Sequence, residues 1–357
     1  MNQSAEQNSG DQPSVKLTDR SEEELKRWAI EHGYKPFRAK QLFQWVYWHR
    51  VDAWDEMSNL PRAFRQEISQ SFSIKPITLV NQKIASDGTV KYLQELHDGY
   101  HIESVLMNHG DYHTLCVSTQ VGCAMACKFC LTAGMGLERN LTPGEIVDQI
   151  LNAYRLLSKG ELIRNIVYMG MGEPFHNYDN TIKSLEILTS PGGLNFSSRR
   201  VTISTSGVVP GIKRFAQEKK VKANLAISLN GVTQEARKEL MPISKRYSLE
   251  KLIQACREFP TESRKRITFE YILVDGLTDS PQAAREFVKL LHGIKSKVNL
   301  IPYNENDQLS YKSPQDSNIK QFRQYLLDHG IVATLRKTRG QGISAACGQL
   351  ATERRAR

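Results

Sequence analysis

No apolar run in this sequence approaches the ~20 residues a helix needs to cross a bilayer. The opening stretch, MNQSAEQNSGDQPSV, also lacks the apolar centre of a secretory leader. The expectation is a cytoplasmic chain with no membrane partner. Cysteine is scarce: six thiols among 357 residues do not make a disulfide scaffold in a chain of this kind. Metal binding or thiol chemistry remains as their use. Acidic residues fall short of balance, 38 against 48 lysines and arginines, for a formal charge of +10. A basic surface favours phosphate-rich partners through counterion release but specifies no sequence. The core lacks nothing: 40% of residues are hydrophobic, enough for one large domain or two modest ones.

Residues 1–17 are rich in Asn, Gln, Ser, Gly and Asp and read as a disordered tail. A helical accessory region follows over 18–75. Ser21 suits an N-cap and Gly33 a stop for its first helix, and Phe37–Val51 and Pro61–Phe72 supply two more. Over 76–108, TLVNQKIAS, TVKYLQEL and HIESVLM are joined by Asp-Gly turns and predict a short antiparallel β extension. From 109 to 340 the strand-like runs HTLCVST, NIVYMG, RRVTIST, KANLAIS, RITFEYILV and KVNLIPY alternate with helix-like stretches. Those stretches include Pro143–Leu157, Thr181–Thr189, Pro281–Leu291 and Ser317–His329. Six alternations and a last strand, IVATLRK, predict an α/β fold. Its form is an open (β/α)6 partial barrel with ligands at the carboxyl ends of the strands. Residues 341–357 form a C-terminal tail carrying Cys347.

The densest chemical signal is Gly122-Cys123-Ala124-Met125-Ala126-Cys127-Lys128-Phe129-Cys130, directly after the first strand of the alternating region. Spacings of three and then two residues let one short loop turn three thiols toward a single centre. Thiolates are the usual ligands of iron–sulfur clusters, and a 4Fe–4S cube held by three of them keeps one iron free for a further ligand. Other uses stay open at this point. With Cys116 or His113 as a fourth ligand the same cysteines make a structural zinc site, although paired C-x-x-C knuckles are the commoner zinc pattern. Buried, inert thiols are the remaining possibility. After the next strand stands Met169-Gly170-Met171-Gly172-Glu173-Pro174. Its glycines let backbone approach a ligand, and Glu173 can pair with an ammonium group. The spacing is not a dinucleotide fingerprint. Ser204, Ser228, Asn230 and Asn304 fall at successive strand ends. Singly each is a common cap or turn residue; together they crowd the edge where a barrel binds its ligand.

The Cys-x3-Cys-x2-Cys loop resembles the radical SAM superfamily. GTVKYLQE, LCVSTQVGCAMACKFC, VYMGMGEP, RRVTISTSGVVP, LRKTRG and AACGQL follow in this order. Over residues 20–352 this set resembles the RlmN family of dual-specificity RNA methyltransferases, of which Cfr is a relative. The resemblance implies a 4Fe–4S cluster on Cys123, Cys127 and Cys130. It also implies S-adenosylmethionine (SAM), two molecules per turnover, held by Gly172, Glu173, Ser204, Ser228, Leu229, Asn230 and Asn304. The implied reaction is methylation of carbon 2 of adenosine in 23S rRNA and tRNA by a monomer that receives electrons from a flavodoxin or ferredoxin. By the same resemblance Cys347 carries the methyl group as S-methylcysteine and Glu103 accepts the ring proton. Cys116 then resolves a protein–RNA crosslink by forming a disulfide with Cys347. Read without the family, Cys116 is a buried strand thiol, Cys347 a tail thiol and Glu103 an acid on a solvated strand face.

Three positions depart from that family pattern: Asn230 replaces the usual His, Ser244 the usual Asn, and Ser344 the usual Asp. Candidate phosphate contacts are Lys245–Arg246, Arg264–Arg266, Arg336, Lys337 and Arg339, with Arg199–Arg200 opening a strand. Trp45, Trp48 and Trp54 either grip structured RNA or pack in the core, and Cys256 reads as an ordinary buried thiol. Two rival functions share much of this reading. A Cfr-like enzyme methylates carbon 8 with the same machinery. A non-catalytic iron–sulfur RNA-binding protein needs the cluster but not Cys116, Cys347 or Glu103.

Overall fold

A computed structural model gives the architecture and describes residues 15–262, 265–340 and 342–352. α1 (Glu22–Glu31) starts at Ser21, whose hydroxyl accepts from Glu24 N while the Glu24 carboxylate accepts from Ser21 N. α2 (Phe37–Gln44) runs into a π-helical turn, Trp45–His49, and α3 (Arg62–Ser71) follows. Next come β1 (Thr78–Ile84), β2 (Val90–Glu95), β3 (His101–Asn108) and β4 (His113–Cys116). A two-stranded ribbon, β5 (Gln120–Gly122) with β6 (Leu137–Asn140), brackets the cysteine loop and the single turn α4 (Leu131–Gly134).

The remainder alternates: α5 (Pro143–Leu156), β7 (Ile163–Tyr168), α6 (Tyr178–Thr189), β8 (Val201–Thr205), α7 (Val209–Ala216) and β9 (Asn224–Ser228). Then come α8 (Gln234–Leu240), α9 (Leu249–Glu258), β10 (Ile267–Leu273), α10 (Pro281–Leu291), β11 (Ser296–Pro302), α11 (Asp316–Asp328) and β12 (Ala333–Leu335). Pro143 and Pro281 each occupy a first helical position, where the missing N–H costs nothing.

Ten strands form one sheet in the order β1-β2-β3-β4-β7-β8-β9-β10-β11-β12. From β4 to β12 every pairing is parallel and every connection carries helix, which is the expected open (β/α)6 barrel with a seventh strand closing the series. The antiparallel strands are not a separate unit. The short turn after β3 pairs it with β4, Val105 opposite Cys116, so β1–β3 extend the barrel wall. Register then puts Lys91, Glu103, Val105 and Cys116 on one face, because residues directly opposite in a sheet point to the same side.

The helical region is likewise continuous with the barrel. Lys16 Nζ lies 2.6 Å from Asp148 Oδ2 on α5, Gly144 N donates to Asp19 Oδ1 at 2.7 Å, and Lys183 Nζ on α6 meets Glu24 at 2.7 Å. One hydrophobic core runs from Leu17 to Leu350. The disordered tail therefore does not extend to residue 17, since Leu17 is fully buried; residues 1–14 lie outside the described residues. Trp48 donates to the Gly193 carbonyl, while Trp45 and Trp54 pack against the core.

Candidate active site

The carboxyl ends of the parallel strands enclose a cavity of about 140 Å3. Its wall includes Cys123, Cys127, Cys130, Gly172, Glu173, Ser204, Ser228, Asn230 and Cys347. A larger depression of about 610 Å3, between residues 215–225 and 259–267, opens at the opposite end, where β9 and β10 begin. Barrel ligands bind at the carboxyl end, so the smaller cavity is the site.

The three cysteines reach it from the loop between β5 and α4. Cys123 N donates to Gly136 O at 2.7 Å and Cys130 N to Cys127 O at 3.1 Å. Lys128 N donates to Leu240 O at 2.9 Å, fastening the loop to α8. Gly122 makes the turn possible: its φ is +73°, and a Cβ there would collide with the Gly136 carbonyl. Gly122→Ala is expected to cost on the order of 2 kcal/mol and to lower the iron taken up on anaerobic reconstitution. Unchanged iron content and melting temperature would contradict this.

Burial pushes Cys123 up to about 12, and burial followed by the charges of Cys130 and Cys123 pushes Cys127 well up too. Left bare, these thiols are neutral; a thiophilic metal centre is what deprotonates such a set. Among the described residues no three His, Cys, Asp or Glu side chains converge closely enough to share one metal ion. His113 is no fourth ligand, being paired with Glu161 at 3.2 Å at the far end of β4 from Cys116. The donor set, three thiols on one cavity wall with no imidazole among them, fits an iron–sulfur cluster.

Glu173 is 3% exposed. Its Oε2 accepts from Ser206 N and Oγ, both at 2.7 Å, and its Oε1 from Phe175 N at 3.0 Å. Asn230 has φ +48°, a left-handed conformation that Asn tolerates better than most residues. Its Oδ1 accepts from Ile272 N at 3.0 Å, which turns the residue to the cavity. The Leu229 side chain is fully buried in the core and off the cavity wall. Asn304 also lies off the wall and ties down the tail, with Nδ2 3.4 Å from Cys347 O.

Cys347 is on the wall, and Cys116, at the end of β4, is buried close enough for the Cys347 charge to bear on its thiol. Both are free thiols, so the expected disulfide is not formed in this structure. Two residues beside them escaped the sequence reading of the site. Arg336 Nη1 donates to Cys347 Sγ at 3.0 Å, so this arginine is a site residue and not the surface phosphate contact expected of it. Glu270, 7% exposed on β10, accepts from Ser204 Oγ at 3.2 Å, and its charge bears on both thiols and on Arg336. Burial raises the Cys347 thiol and Arg336 pulls it back; burial pushes Cys116 up to about 12.

Glu103 is 5% exposed, with Lys91 Nζ 2.8 Å from Oε1 and Ala351 N donating to Oε2 at 3.1 Å. It is no solvated acid. Lys91 also donates to Ser344 O at 3.2 Å, so the tail is pinned across Glu103 and the cysteine loop together. Of the candidate phosphate contacts, Lys245, Arg246, Arg266, Lys337, Arg199 and Arg200 are exposed, Arg339 and Lys265 are partly buried, and Arg264 lies outside the described residues.

A parallel half-barrel whose carboxyl end gathers three loop cysteines and a Gly-Glu-Pro turn defines a radical SAM enzyme, and the radical SAM superfamily profile matches residues 117–288. A second profile, the ribosomal RNA large subunit methyltransferase N-terminal domain, matches residues 15–74. The chain belongs to the RlmN family of dual-specificity RNA methyltransferases and is a SAM-dependent methyltransferase. It is 51% identical to RlmN of Syntrophotalea carbinolica, over 92% of this chain and 87% of that one. RlmN of Syntrophobacter fumaroxidans is 46% identical over 92% and 96% of the two chains. A radical SAM methyltransferase from Sphaerobacter thermophilus superposes with a TM-score of 0.89 at 43% identity, covering 94% of this chain and 99% of that one.

Proposed function

We propose that the protein methylates carbon 2 of adenosine in 23S rRNA, at the peptidyl-transferase centre, and in tRNA beside the anticodon, with Cys347 as methyl carrier. The observation that carries this reading is the placement of Cys347. It is a tail thiol on the same cavity wall as the three loop cysteines, hydrogen-bonded to Arg336, with the Cys116 thiol beside it. Carbon 2 lies between two ring nitrogens and is a poor nucleophile, so direct attack on a methyl donor is unfavourable. The target base leaves its stack to reach the site.

Cys123, Cys127 and Cys130 would hold the cluster, and Glu173, Ser204, Ser228 and Asn230 would line the SAM pocket. When bound, this pair supplies the one-electron chemistry that removes a hydrogen atom from a methyl group on Cys347; the protein binds, orients and keeps out water. Cys347, its thiolate favoured by Arg336, first takes the methyl group from one SAM. After hydrogen loss the sulfur-bound carbon adds to carbon 2. Glu103 takes the ring proton, and the adduct would pass its unpaired electron back to the cluster, leaving a closed-shell thioether between protein and RNA. The Cys116 thiolate then attacks Cys347 sulfur, forming a disulfide, and the released carbon takes up a proton to become methyl. A dithiol donor resets the disulfide by two-electron thiol exchange, and a flavodoxin- or ferredoxin-type donor would supply the single electrons that the cluster needs.

Hydrogen bookkeeping supplies the test. With trideuteromethyl SAM, the methyladenosine product is expected to carry two deuterium atoms, one having been lost from Cys347. Three deuterium atoms in the product would mean direct transfer and overturn the carrier reading.

Burial, only partly offset by Lys91, holds Glu103 above the usual carboxylate range. Its basic form therefore grows as pH rises through that elevated value, and single-turnover product formation is expected to rise with it. Glu103→Gln is expected to cost at least about a hundredfold and to flatten this limb while leaving Cys347 methylation intact. A variant that keeps the wild-type rate and pH limb would remove Glu103 from the proton transfer.

A further inference from the structure

Arg237, 1% exposed, is the most deeply buried basic side chain among the described residues. From α8 its guanidinium donates to the backbone carbonyls of Ser228 (2.8 Å), Leu229 and Ser206 (2.5 Å), and contacts Met241 Sδ at 3.3 Å. Nε has no partner, and no carboxylate pairs with it among the described residues. Gly207 makes room for the guanidinium, since a Cβ there would lie 2.7 Å from Nη2, and Gly231 lets α8 approach, since a Cβ there would lie 2.6 Å from the Arg237 backbone N. A cradle is thus built around a cation that has only neutral hydrogen-bond partners. Carbonyl dipoles solvate a guanidinium but do not cancel its charge, and an uncompensated buried charge is costly.

The ionisable groups that bear on Arg237 are Cys127 first and Cys256 second. Burial pushes the Cys256 thiol up to about 12, so it stays neutral at physiological pH. That leaves Cys127. Lys128 N is bonded to Leu240 O, so the helix that bears Arg237 is fastened to the cysteine loop. Arg237 is not on the cavity wall itself, but three of its partners, Ser206, Ser228 and Met241, line the cavity together with Cys127.

We infer that Arg237 is the internal counter-ion of the iron–sulfur cluster, a permanent buried cation whose compensating charge is the cluster on Cys127 and its two companions. The inference rests on the reading of Cys123, Cys127 and Cys130 as cluster ligands. A cubane core held by three thiolates is anionic, and reduction adds another negative charge; net charge is among the factors that set such potentials. A fixed cation in a low-dielectric interior stabilises the reduced form more than the oxidised one. Arg237 therefore raises the cluster's reduction potential. It touches no reacting atom and is a positioning residue: through the Ser228 and Leu229 carbonyls the same guanidinium also holds the end of β9.

The test is a potentiometric titration of the reconstituted full-length chain without SAM, followed by the paramagnetic signal of the reduced cluster. Arg237→Gln keeps a donor for the carbonyls and loses the charge; it is expected to be reduced tenfold less at the wild-type midpoint, a negative shift of about 59 mV for one electron. Arg237→Lys keeps the charge and is expected to stay near the wild-type midpoint. A Gln variant that titrates with the wild type overturns the inference, as does a Lys variant that shifts as far as Gln. If Arg237→Gln does not fold, Arg237→Met carries the same comparison. A wild-type chain that takes up no iron–sulfur cluster would overturn the cluster reading itself. A normal wild-type cluster with an unshifted Gln midpoint would overturn this inference alone.

Discussion

Cys347→Ala, with its iron intact, is expected to leave RNA unmethylated, a loss of more than about a thousandfold. The alanine variant keeps every group proposed to hold the cluster and SAM, so it isolates the carrier step. Cys347 is the one cavity-wall thiol outside the Cys-x3-Cys-x2-Cys loop among the described residues. Arg336, at 3.0 Å from its sulfur, favours the thiolate against the penalty of burial. Removing that cation as Arg336→Met raises the thiol further. Formation of S-methylcysteine is then expected to slow and its pH profile to move to higher pH, because the reactive form is the deprotonated one. The methyl group is counted by intact-protein mass spectrometry. Wild-type RNA methylation by Cys347→Ala would remove the carrier from the mechanism.

Cys116→Ala is expected to fail later and differently, by accumulating a covalent protein–RNA adduct with little free methylated product. Cys116 stands at the end of β4, opposite Val105 and on the face that Glu103 shares. Its thiol is buried and pushed up to about 12, with the Cys347 charge the second cause after burial. A thiol so placed is poor at unassisted attack and suited to a neighbour already bonded to carbon. The adduct should migrate with both protein and RNA on a denaturing gel and disappear on ribonuclease digestion. Its absence in Cys116→Ala, with normal product release, would show that another group resolves the crosslink.

Much of this was legible in the sequence because it is local. The cysteine spacing, the Gly-Glu-Pro turn and the Ser21 cap depend on neighbours a few residues apart, and the six strand–helix alternations carry their own periodicity. What was missed is long-range. Arg336 reads as one of a basic cluster in LRKTRG, and the preceding strand, Ala333–Leu335, is too short to show which side its successor faces. Glu270 left a readable trace: in ITFEYIL it is the lone acid of a strand otherwise buried almost throughout, and alternation places it with Ile272 on the cavity side. α7 and α8 went unread, being eight and seven residues long and bordered by Gly and Pro. Arg237 hides in the second of these, where QEARKEL looks like any solvated helix face.

The most direct test of the central claim is to incubate the anaerobically reconstituted protein with SAM, a reductant and unmodified 23S rRNA or tRNA. The digested nucleosides are then resolved by mass spectrometry against 2-methyl- and 8-methyladenosine standards. The account predicts 2-methyladenosine. 8-Methyladenosine would contradict the assignment of carbon 2 while keeping the radical machinery, and a protein with an intact cluster that methylates neither RNA would contradict the proposed function altogether.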